Sequence, residues 1–176
     1  MSNAVVTTSS MELTPMRVNF DGVDLGGTTG NVVISAKYMK ANLVADQSGQ
    51  TVRDRRVSGI EITVTTELTE VLNKDNWKVV FPHATLLPAG TAAIEFSQNI
   101  GDSDLSNAQE LILHPLSKAD VDLTADYTFY KACASAESSI TYGPTEQARL
   151  KIVWNILPDE SAVPNKFFRY GDPAVV

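Results

Sequence analysis

The sequence predicts a mainly β protein: a β-sandwich or partly open barrel with one flanking α-helix and one long β-hairpin. Period-two alternation recurs along the chain, apolar runs are short and broken by Gly, Pro, Asn and Asp, and a single segment carries helical spacing.

At 176 residues the chain suits one domain, expected over residues 17–176 behind an N-terminal arm, residues 1–16, rich in Ser, Thr and Val without helical period. Gly26 to Asn31 is a turn cluster leading into a strand at Val32–Ala45, whose alternation slips near Met39-Lys40 as a bulge or twist would require. Asp46 to Ser58 follows as a polar stretch containing Gly49 and the run Arg53-Asp54-Arg55-Arg56. Val57–Thr65 then alternates, with Ile60, Ile62 and Val64 on one side and Glu61, Thr63 and Thr65 on the other. Together these form two long strands joined by a loop well beyond the usual hairpin length, and such loops inside compact domains are functional or disordered.

Glu67–Val80 is the helix: Leu68, Val71 and Leu72 recur at i, i+3 and i+4, Glu67 and Glu70 suit the positive end, and Pro82 ends the pattern. Asn73–Asn76 weakens it, so an early end with Trp77–Phe81 returning to strand is an open variant. Thr91–Ser97, Glu110–His114, Val121–Cys133 and Gln147–Leu157 read as strands. Val121–Cys133 sets Val121, Leu123, Tyr127, Phe129 and Cys133 against Asp122, Thr124, Asp126 and Thr128. Gln147–Leu157 sets Leu150, Ile152, Trp154 and Ile156 against Arg149, Lys151 and Asn155.

Charge and composition exclude several functions. The net charge of −7 disfavours gripping nucleic acid by phosphate neutralisation. No apolar run approaches the ~18 residues of a membrane helix. Residues 1–16 lack the pattern of a secretory signal, so assembly is expected in the cytoplasm. One cysteine, Cys133, allows no intrachain disulfide, and its place beside Phe129 and Tyr127 predicts a buried, inert thiol.

No motif specifies catalysis, a cofactor or a metal. Gly26 to Gly30 precedes a strand where a phosphate loop opens a helix, and no Lys-Ser/Thr follows. An EF-hand begun at Asp102 would need Gly where Asn107 stands and Glu where Leu113 stands. The two histidines, His83 and His114, sit in no metal-binding spacing. Three arginines in one stretch of an acidic protein are the unusual feature. A hydrated hairpin tip accounts for them, and so does a contact loop, Gln47, Arg53, Asp54, Arg55 and Arg56, docking on acidic surface of another copy through guanidinium forks. The stretch carries +1, three arginines against Asp46 and Asp54, which leaves −8 elsewhere to receive it.

Leu25-Gly26-Gly27, the strand Val32–Ala45, Ala45-Asp46-Gln47-Ser48-Gly49, the basic loop, Ser58-Gly59-Ile60-Glu61-Ile62-Thr63-Val64, Glu67-Leu68-Thr69-Glu70 and the closing Arg169-Tyr170-Gly171-Asp172 resemble the major tail tube proteins of siphophages. The likeness spans Leu25 to Val80 and the C-terminus, with only strand character matching between. It implies a structural virion protein of the phage tail, not an enzyme. Six copies would close into a ring, rings would stack into a tube lined by a continuous β-barrel, and DNA would pass through without specific binding. It further implies self, tape-measure and other tail proteins as partners, no cofactor and no membrane. The hairpin strands would then be wall strands and Gln47–Ser58 the stacking loop. Edge strands of an isolated β-domain invite open-ended pairing, which a closed ring satisfies. A carboxylate- and hydroxyl-rich lumen would not retain DNA; Glu61, Thr63 and Thr65 are the candidates to line it, with Asp122 and Asp126 next. Alternatives are another tail component (terminator, baseplate hub or secretion tube protein) and a β-sandwich module binding carbohydrate or a receptor, whose aromatic platform could come only from Trp77, Trp154 and the Phe167-Phe168-Tyr170 cluster.

Overall fold

The computed structural model describes residues 14–44, 51–87, 93–97 and 100–174. Its main body is one antiparallel sheet ordered β2-β1-β7-β8-β9-β4-β3, with β10 pairing β8. These strands are β1(Met16–Phe20), β2(Val23–Gly27), β3(Val33–Leu43), β4(Asp54–Leu68), β7(Gln109–Pro115), β8(Tyr127–Thr141), β9(Arg149–Ile156) and β10(Phe168–Tyr170). A second, two-stranded sheet joins β5(Ala84–Leu86) to β6(Ile94–Phe96). The large sheet curls: Thr28, just after β2, bridges Leu68 at the end of β4, and the Thr29 N–H donates to the Glu67 carbonyl at 2.8 Å. Its interior is therefore enclosed by one bent sheet.

Alternation explains the core. On β4, Ile62, Val64, Thr66 and Leu68 are buried, and on β9 so are Leu150, Ile152, Trp154 and Ile156. They meet Val18, Phe20 and Leu25 from the first hairpin and Leu111, Leu113 and Phe129 from β7 and β8. Trp154 is the largest fully buried side chain; its indole N–H donates to Thr66 Oγ1 at 2.9 Å and its ring lies 4.8 Å from that of Phe20. The β1–β2 hairpin turns on Asp21-Gly22, both at positive φ (52° and 75°), as the mirror-image two-residue turn demands.

The hairpin strands differ from the expected bounds. β4 reaches back through Asp54–Arg56 and forward through Leu68, and the expected slip at Met39-Lys40 is a register shift at that step. The helix starts later than expected. Glu67 and Leu68 complete β4, Val71 and Leu72 lie in a turn, and α1 spans Lys74–Val80. Leu68 carries on the buried phase of β4 opposite Leu150, which overrides its helical spacing. Asn73 opens the helix, its side chain accepting the Asp75 N–H, while the Trp77 indole N–H ties back to the Val71 carbonyl at 2.9 Å. Trp77, Phe81 and Phe96 pack with ring centroids 5.7–5.9 Å apart, joining α1 to β6.

The strand expected over Val121–Cys133 begins only at Tyr127. Val121 and Leu123 are exposed, because Leu123–Ala125 forms a 3₁₀ turn. Cys133 is buried as expected, but an irregularity in the β7–β8 register puts it opposite Asn155, out of phase with Phe129. Among the described residues no helix is long and apolar enough to cross a membrane.

Candidate assembly surface

β3 is the end of the sheet, and β4 pairs β9 only from Ile62 to Leu68. Asp54–Ile60 and Tyr38–Leu43 thus run on as a two-stranded ribbon with no third strand among the described residues. An isolated ribbon of two strands is marginal in water. This one also exposes apolar side chains: Tyr38 is 59% and Val57 60% accessible, and Met39, Leu43 and Val44 are exposed too. Only Ile34 of β3 is even half-buried.

The basic cluster lies on this ribbon. Of the predicted contact loop, Gln47 is outside the described residues and Arg53 immediately precedes β4. Asp54, Arg55 and Arg56 are strand residues opposite Leu43, Asn42 and Ala41, so the loop reading is corrected for these three. All four described members are exposed, and Arg56 lies 3.8 Å from Asp54 across the i, i+2 spacing that puts both on one side of the strand. Lys40 joins them from β3, a contributor that only the pairing register reveals.

Glu61, Thr63 and Thr65 share the face of β4 that points away from the core. Cross-strand pairing adds Val33, Ser35 and Lys37 on one flank and Asn155, Val153 and Lys151 on the other. Lys37 Nζ lies 3.8 Å from Glu61, and Arg149 lies 3.7 Å from Glu67. The face is therefore hydroxyl-rich and of mixed charge, with Lys151 beside the two ion pairs. Ion pairs this exposed contribute little stability; their consequence is that these two cations already face carboxylates.

Asp122 and Asp126 do not belong to this face. Asp122 precedes the 3₁₀ turn, and hydrogen bonds from the Thr124 hydroxyl and backbone N–H hold its carboxyl below the usual range. Asp126 is buried, with its carboxylate 2.7 Å from His114 Nδ1, so it offers nothing to a lumen. The Asp126 carbonyl also accepts the Gly171 N–H at 2.9 Å, which secures the end of β10. Neither role of Asp126 is visible in sequence, because His114 lies 12 residues away on β7 and Gly171 lies just past the end of β10.

No protein-family model matches the chain, and no curated protein matches it.

Proposed function

We propose that the chain is a self-assembling structural subunit of a phage tail tube, its hexameric rings stacking around a conduit for DNA. The observation that carries this reading is the unfinished end of the sheet: an eleven-residue edge strand, exposed almost throughout, whose second half runs in an apolar-decorated ribbon with the start of β4. Natural domains protect such edges by shortness, proline, lysines, bulges or covering elements; β3 carries Lys37, Lys40 and the register shift at Met39-Lys40, but it is long, lacks proline and has no covering element among the described residues. A second copy completes it, and cyclic closure stops the growth that open pairing would allow.

The charge pattern supports the same reading. The exposed face of β3, β4 and β9 pairs Lys37 with Glu61 and Arg149 with Glu67, so these two cations offer passing phosphates weak purchase. The basic ribbon runs on past the part of β4 that pairs β9, and in this reading it is the element that reaches the next ring. Sixfold symmetry, tape-measure and other tail proteins as partners, and a place in the virion follow from the family resemblance. Sedimentation velocity over a hundred-fold concentration range tests the reading: species growing beyond dimers support it, and a monomer at every concentration overturns it.

A further inference from the structure

The charges of the chain are segregated. From Val79 to Ser117 there is no Lys or Arg, against four carboxylates, Glu95, Asp102, Asp104 and Glu110. This stretch builds one wall of a groove of about 500 Å³ between β6, the short helix α2(Asp104–Asn107) and the part of β8 from Cys133 to Ser138. Phe81 and Phe96 give the groove an apolar surface, Phe96 being 53% accessible, and Asp102, Asp104 and Glu137 give it carboxylates. Asp102 also faces His83 at 3.5 Å; Asp104 and Glu137 are exposed.

The ribbon carries the complementary chemistry. Lys40 lies opposite Val57 and Asn42 opposite Arg55, so Arg55, Val57, Lys40 and Tyr38 share one of its faces. Arg56 is engaged with Asp54 on the other face, whereas neither Arg55 nor Lys40 forms an ion pair among the described residues. We infer that this face of the ribbon docks in the β6–α2–β8 groove of a second copy, its apolar side chains on Phe96 and its cations beside Asp104 and Glu137. The inference rests on the self-assembly reading and names the surface that receives the ribbon. Exposed ion pairs alone contribute little, so the aromatic surface matters: a guanidinium over a phenyl face adds cation–π attraction, and covering Val57 and Tyr38 removes apolar area from water.

The contact cannot form within one chain. Ile62, Ile156 and Ala132 form a row across β4, β9 and β8, and Arg55 precedes Ile62 by seven residues. At roughly 3.3 Å per residue and 4.8 Å per strand, the Arg55 backbone lies about 25 Å from Ala132, far beyond the reach of an arginine side chain. The groove begins one residue further on, at Cys133. Giving and receiving surfaces differ, so the contact is head-to-tail, and every copy both presents a ribbon and accepts one.

The test is an exchange of charge between two variants. Lys40→Glu/Arg55→Glu reverses the ribbon and Asp104→Lys/Glu137→Lys reverses the groove; all four side chains are exposed, so circular dichroism should match wild type. In sedimentation velocity each variant alone should need on the order of tenfold more protein than wild type to assemble. An equimolar mixture should assemble again, because each ribbon then meets a groove of opposite charge. Asp104→Asn/Glu137→Gln removes the groove's charge without reversing it and should fall between; it replaces the reversed groove variant should that fail to fold. Assembly of either folded groove variant at wild-type concentrations would overturn the receiving surface while leaving self-assembly standing. So would a mixture of the two folded, reversed variants that stays unassembled. Wild-type protein that sediments as a monomer at every concentration overturns the docking together with the reading beneath it.

Discussion

Replacing Thr66 with Val removes the acceptor of the Trp154 indole N–H while keeping the shape of the side chain. Both residues are 0% accessible, so no water can take the hydroxyl's place without opening the core. A buried donor left unpaired costs about 1–3 kcal/mol. Trp154→Phe leaves the Thr66 hydroxyl unpaired in turn and adds a cavity beside Phe20, for a loss of about 2–3 kcal/mol. The double variant restores polar balance, so its loss falls short of the sum of the two by about 1 kcal/mol. With a urea slope of about 2 kcal/mol per molar, Thr66→Val lowers the unfolding midpoint by roughly 0.5–1.5 M. Urea titration followed by tryptophan fluorescence and circular dichroism measures the first variant, and circular dichroism alone measures the others. A Thr66→Val midpoint within ~0.2 M of wild type, or strict additivity in the double variant, would refute the bond as the anchor joining β4 to β9.

Two further outcomes follow from the surface. Asp122 carries a depressed carboxyl pKa, so its contribution to stability is present above the unfolded carboxylate pKa and is lost as pH falls through the lower, folded value; Thr124→Ala should move its NMR titration upward, and an unmoved curve would contradict the assigned cause. Replacing Arg53, Arg55 and Arg56 with Ser should leave the circular dichroism unchanged, since all three side chains are exposed, but should slow elongation seen by light scattering; unchanged elongation removes the ribbon from the stacking contact.

Where a strand buries one face, its alternation reads directly from sequence. Leu150 to Ile156 and Ile60 to Val64 are legible for that reason, as is the break at Met39-Lys40, because a bulge interrupts the same period. The helix boundary was misleading, since Leu68, Val71 and Leu72 satisfy helical spacing by coincidence while long-range pairing with Leu150 keeps Leu68 in a strand. Asn73, a weak point for a helix interior, is the capping residue that starts α1. The β1–β2 hairpin lies outside the strands expected above, although its Asp21-Gly22 turn is a strong local signal. For the site, the polar phase of Glu61, Thr63 and Thr65 was visible, but the compensation of Glu61 by Lys37 depends on register between strands. Asp126 shows the same boundary: no local pattern reveals that His114 takes its carboxylate into the interior.

Negative-stain electron microscopy of the purified protein across rising concentration tests the central claim most directly. Closed rings or hollow tubes with sixfold end views and an open centre are the predicted result. A field of dispersed particles the size of one subunit, persisting at the highest concentration, would contradict it.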